Sequence, residues 1–131
     1  MKVAILVITH NDIGQSLIET AVSMLDKKTS GVRSLSIPAN LKPRDLGYYA
    51  DQIRDCITDS NSVDGLLILT DIYGATPNNL ARYFGSEENI KVISGLNLPM
   101  LIRVLNYHHQ SLPELAEIAI EGGHKGIQQD S

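Results

Sequence analysis

Apolar residues along this chain switch repeatedly between the spacing of a strand and that of a helix. Residues 2–9 form an unbroken apolar run, with Val3-Ala4-Ile5-Leu6-Val7-Ile8 at its heart, closed by the polar Thr9-His10-Asn11-Asp12. A short run without alternation predicts a strand covered on both faces. Residues 12–26 then place Ile13, Leu17, Ile18, Ala21, Val22 and Leu25 at helical spacing, and Asp12 with Gln15 reads as a capping box. Residues 33–37 alternate and stop at Pro38, which predicts a less buried strand near an edge. A second helix over 44–58 carries Leu46, Tyr49, Ala50, Ile53, Cys56 and Ile57 on one face. Residues 65–70, Gly65-Leu66-Leu67-Ile68-Leu69-Thr70, are the second strongly buried strand.

The rest of the chain repeats the pattern. A helix over 77–84 is entered with Thr76 as N-cap and Pro77 in the first turn, where a missing N–H is not needed. Residues 90–95 give a fourth strand, and 98–108 and 112–121 are helical. The tail Gly122-Gly123-His124-Lys125-Gly126-Ile127 is too rich in glycine to extend a helix on propensity, and is expected to turn into a short last strand.

This order predicts an α/β fold: a doubly wound, mainly parallel sheet with helices on both faces. The two most apolar strands belong at the centre, side by side, with 33–37 outside the first. The expected strand order is 2-1-3-4, and winding reverses between strands 1 and 3. Chemistry in such folds gathers beyond the carboxyl ends of the strands at that reversal.

Composition changes this picture only by exclusion. The chain has 131 residues, 43% apolar and 20% charged, which is ordinary for one compact domain spanning 1–131. A net charge of −4 argues against nucleic acid or an anionic membrane as the main partner. There is no apolar run of spanning length and no signal-peptide pattern, so no membrane insertion is expected, and a single cysteine is compatible with a reducing cytoplasm. The lone Cys56 sits on an apolar helix face and is expected to be a buried, inert thiol.

Two residues fall at the reversal point. The first strand ends in His10 and the third runs into Asp71, so topology sets both at neighbouring strand ends. A neutral imidazole nitrogen is a good nucleophile near neutral pH. A carboxylate bonded to the other ring nitrogen fixes the tautomer and stabilises the cation formed on attack. Gly74 lets backbone approach an anion closely, and Thr76 offers a hydroxyl at the amino end of the third helix. His108-His109 and His124 lack partners at metal-ligand spacing, so no metal site is expected. His108-His109 reads as a solvated helix end, and Glu87-Glu88 as a solvated loop. No nucleotide-binding glycine pattern or serine-nucleophile elbow is present, so no cofactor is expected.

Three segments together give the chain a resemblance. They are Ile8-Thr9-His10, the stretch Leu69-Thr70-Asp71-Ile72-Tyr73-Gly74-Ala75-Thr76-Pro77-Asn78-Asn79, and Ile93-Ser94-Gly95-Leu96-Asn97-Leu98-Pro99-Met100-Leu101. In these the sequence resembles the IIA component of the mannose-type bacterial phosphotransferase system over nearly its whole length. The resemblance implies a phosphoryl carrier that takes phosphate from HPr on His10, at Nε2, and passes it to a IIB component. Asp71 matches the carboxylate that orients this histidine, and Thr76 matches a position where the family has a hydroxyl next to the phosphate, so that Gly74, Ala75 and Thr76 are the expected phosphate-binding residues. It also implies a homodimer in which a C-terminal strand crosses to the partner. Departures are Asn11 where glycine is usual, Ala75 where many members have a second glycine, and Asn78 where some have an aromatic residue.

Other functions fit the same residues. The phosphotransfer subunit of a dihydroxyacetone kinase would use the same histidine with a different acceptor. A regulatory IIA domain would use phosphorylation only as a signal. A receiver domain would be phosphorylated on Asp71, but needs an acidic pair after strand 1, where this chain has Thr9-His10.

Overall fold

The structure is a computed structural model that describes residues 3–26, 31–59, 64–87 and 89–131. Lys2 of the first expected strand and Glu88 of the expected loop lie outside the described residues. Four parallel strands form the sheet: β1 (Val3–His10), β2 (Val32–Ile37), β3 (Gly65–Thr70) and β4 (Ile90–Ser94). Their order is β2-β1-β3-β4, as the pattern of apolar runs predicts.

The period of two divides the central strands between two cores. Val3, Ile5 and Val7 of β1 and Leu67 and Leu69 of β3 face one side. Helices α1 (Ile13–Leu25), α4 (Leu98–Asn106) and α5 (Leu112–Lys125) cover that side with Ile18, Leu101, Val104 and Leu115. Ala4, Leu6, Ile8, Leu66 and Ile68 face the other side, under α2 (Leu46–Asp59) and α3 (Thr76–Arg82), which bring Ile53, Cys56 and Ala81. Both faces being covered explains why these strands read as continuous apolar runs. Cys56 is buried as expected; burial pushes its thiol up, against an opposing effect of the Arg33 charge.

Four local expectations are corrected. Asp12 makes no side-chain cap, because its backbone (φ −96°, ψ 17°) is not in the extended conformation a capping box needs. The hydroxyl of Thr9 instead accepts from the Gly14 N–H at 2.8 Å, and Asp12 accepts from the Ser36 hydroxyl at 2.9 Å. Helix α3 is preceded by Ala75, not capped by Thr76, which is its first residue. His108 is no solvated helix end: its Nε2 is bonded to the carbonyl oxygen of Val3.

The fourth correction concerns the tail. Gly122 and Gly123 continue α5 to Lys125, and no fifth strand exists among the described residues. The reason is close packing against α4. A Cβ on Gly122 would stand 2.9 Å from the Cβ of Arg103, and one on Gly123 2.9 Å from Cε of Met100. The glycines are there for the approach of two helices, which outweighs their poor helix propensity.

Candidate functional site

The sheet register creates the site. β1 pairs with β3 as far as Ile8 with Thr70, and with β2 as far as His10 with Ile37. The residue that follows β3, Asp71, therefore comes alongside the end of β1. The backbone turns sharply just after His10, where Asn11 adopts a left-handed conformation (φ 50°). Asparagine is among the few residues that tolerate it. Its N–H donates to the Ile37 carbonyl at 2.8 Å and its Oδ1 accepts from the Ala39 N–H at 3.3 Å. The turn that carries His10 is thus tied to the exit of β2.

His10 and Asp71 meet as the topology predicts. Nδ1 of His10 lies 2.8 Å from Oδ2 of Asp71, and the same oxygen accepts the His10 backbone N–H at 3.0 Å. The other carboxylate oxygen accepts the Ile72 N–H at 3.0 Å. Side-chain exposure is 24% for the histidine and 10% for the aspartate. Burial by itself would raise the Asp71 carboxyl, but the backbone and ring donors of His10 and the imidazole charge hold it below its ordinary value. An ionised carboxylate only accepts hydrogen bonds, so the Nδ1 atom facing it carries the proton. That leaves the lone pair of the neutral ring on Nε2. Asp71 itself is nearly enclosed, with both oxygens engaged, and is poorly presented as a phosphoryl acceptor.

The turn after Asp71 is held by side chains to which the sequence alone assigns no role. Gly74 has φ 83°, a conformation suited to glycine. Its N–H donates to Oδ1 of Asn78 at 2.8 Å, and its carbonyl accepts from Nδ2 of Asn79 at 3.0 Å. The Ala75 N–H turns back to the Ile72 carbonyl at 3.3 Å. Thr76 stands half-buried at the head of α3. A signal for the asparagine pair is present, since Asn78 lies four residues after a turn glycine. Its partners, however, are set by the fold. The outer rim of the site is apolar: Ile72 is 59% and Tyr73 71% exposed, with the Arg82 guanidinium over the tyrosine ring. His109 and His124 lie elsewhere, on α4's exit and on α5. Among the described residues no group of three or more His, Cys, Asp or Glu gathers as a metal site would.

The family model EIIA-man, described as the PTS system fructose IIA component, matches residues 4–120. The chain belongs to this family. It is 29% identical over 130 residues to the PTS system mannose-specific EIIAB component of Escherichia coli (strain K12), covering 97% of this chain and 39% of that protein. The chain thus spans well under half the length of that relative. The mannose/sorbose specific IIA subunit of the phosphotransferase system from Enterococcus faecalis has the same fold. It superposes with a TM-score of 0.86 at 21% identity, over 100% of this chain and 96% of that one. A putative phosphoenolpyruvate-dependent sugar phosphotransferase system permease from Klebsiella pneumoniae gives 0.80 at 25% identity, over 98% and 91%. Membership makes the chain a IIA component of the mannose family, a phosphotransferase protein. The names of the family model, of the Escherichia coli relative and of the Enterococcus faecalis structure cite different sugars, and a IIA component is what those names share. Among the described residues no helix is long and apolar enough to cross a membrane.

Proposed function

We propose that this chain is a cytoplasmic phosphoryl carrier that accepts phosphate from phospho-HPr on Nε2 of His10 and passes it to a IIB component. The observation that carries this reading is the 2.8 Å contact between His10 Nδ1 and Asp71 Oδ2. In the transfer, the Nε2 lone pair attacks phosphorus in line as the donor's P–N bond breaks and its electron pair returns to the donor imidazole. The Nδ1 proton stays in place, and the positive charge that develops on the ring lies against the Asp71 carboxylate. Passing the group on is the same step with the roles exchanged.

Thr76 supplies a hydroxyl to the phosphoryl oxygens, and Gly74 and Ala75 shape the backbone around them. The N–H groups of Gly74 and Ala75 are already engaged within the turn, so the group is held by few donors, which suits a carrier that must release it. The apolar rim of Ile72 and Tyr73 favours protein partners over a free sugar. The protein is a homodimer in this reading. Support comes from the outer edge of β4, which pairs with no strand among the described residues, and from exposed Ile120 and Ile127 beside it.

Incubation with phosphoenolpyruvate, enzyme I and HPr tests the proposal. The expected result is an acid-labile, base-stable label that is absent from His10→Ala. Absence of label from the wild type with a competent HPr would sink it, and a base-labile label on Asp71 would indicate receiver chemistry instead.

A further inference from the structure

Asn78, at 2% exposure, is one of three buried polar side chains among the described residues, and it stands in the first turn of α3, just after the turn that follows Asp71. A buried primary amide must find partners for both its oxygen and its nitrogen. Here Oδ1 accepts the Gly74 N–H at 2.8 Å, and Nδ2 donates to the hydroxyl of Thr70 at 3.3 Å. Thr70 is the last residue of β3 and is itself fully buried. The amide therefore bridges the rigid end of the strand to the left-handed residue of the turn, and spans both sides of Asp71.

The consequence reaches the histidine through three bonds already described. Fixing Gly74 fixes the turn from residue 71 to 75, and with it the Ile72 N–H that holds Oδ1 of Asp71. With one oxygen held there, the other is turned toward the backbone and ring nitrogens of His10. An exposed side chain such as Asn79 can find water if its bond to the turn is lost, whereas the Asn78 amide cannot.

We propose that Asn78 is a positioning residue for His10: its buried amide sets the turn so that the Asp71 carboxylate meets Nδ1, which keeps Nε2 free as the acceptor. The functional half of this rests on His10 being the phosphoryl acceptor; the structural half does not. Asn78→Leu removes both bonds while keeping the branched shape and the number of heavy atoms, and Thr70→Val removes only the one to the strand. Ring ¹⁵N spectra of His10 read the outcome directly, since neutral imidazole tautomers are resolved by nitrogen shift. The wild type should show the ring protonated on Nδ1. Asn78→Leu should show a mixture of tautomers and accept phosphate from phospho-HPr about 10- to 100-fold more slowly, as misplacement of a reacting group does. Thr70→Val should shift both in the same direction by less. On an Asp71→Asn background, Asn78→Leu should add little further slowing, because both act through one carboxylate.

A folded Asn78→Leu protein with wild-type His10 nitrogens and wild-type transfer would overturn the inference. Should that variant not fold, unchanged spectra and transfer in Thr70→Val would overturn it equally. A wild type that takes no phosphate, together with a tautomer shift in the variants, would uphold the positioning role while refuting the carrier function.

Discussion

At the scale of single residues, the site depends on which nitrogen of His10 carries the proton. Asp71 decides it, since its ionised carboxylate accepts from Nδ1 and from the His10 backbone at once. Replacing it by asparagine keeps the shape and loses the charge. Asp71→Asn should slow phosphoryl transfer on the order of 10²-fold or more, because an amide does not stabilise a cationic ring. Rapid-quench transfer from phospho-HPr checks this, and an unchanged rate would remove the pairing from the mechanism. The same carboxylate contributes to stability with a definite sign. Its folded pKa lies below its ordinary value. The contribution is therefore complete above about pH 4, the ordinary aspartate value, and is lost as pH falls through the lower folded value. Urea unfolding of wild type and Asp71→Asn should show a stability difference near neutral pH that shrinks in strong acid. A difference that grows in acid would contradict the direction of the shift.

At the scale of elements, the tail of α5 shows where sequence reasoning succeeds and where it stops. β1 and β3 are legible because burial on both faces writes a continuous apolar run. The end of α5 is not, because Gly122 and Gly123 argue against helix on propensity, and the space they leave for α4 is a tertiary fact. The two effects can be separated. Gly122→Ala should destabilise by roughly 1–3 kcal/mol, since its Cβ would overlap Arg103 and overpacking outweighs the gain in propensity. Gly47, in the first turn of α2, has nothing within 4 Å of the place a Cβ would occupy. Gly47→Ala should stabilise by about 0.4–1 kcal/mol. Thermal unfolding of the two variants checks this; stabilisation by both would show that the α4–α5 packing is looser than described. The turn after β3 follows the same logic. Gly74 can be read as a turn residue, whereas the amide of Asn78 that holds it depends on Thr70 across the fold.

At the scale of the whole molecule, topology alone brings the two catalytic candidates together. Strand order 2-1-3-4 reverses between β1 and β3, and their ends carry His10 and Asp71. A pair sixty-one residues apart in sequence becomes readable in this way, because the order of strands follows from their hydrophobicity. The edges of the sheet are less informative. β2 lies at one edge and β4 at the other, and the expected short last strand is absent among the described residues. The proposed dimer must then use the β4 edge and the apolar side chains near it without an added strand from residues 122–125, which are helical. Sedimentation at micromolar concentration should give a dimer; a monomer there would restrict the molecule to single-chain action.

The central claim is that Nε2 of His10 is the atom that carries phosphate. Phosphorylation of ¹⁵N-labelled protein by phosphoenolpyruvate, enzyme I and HPr, followed by ³¹P and ¹⁵N spectroscopy of the intact product, tests it most directly. The predicted result is a single phosphoramidate whose phosphorus couples to Nε2 of His10, with the Nδ1 proton still bonded to Asp71. Phosphorus on Nδ1, or an acyl phosphate on Asp71, would contradict it.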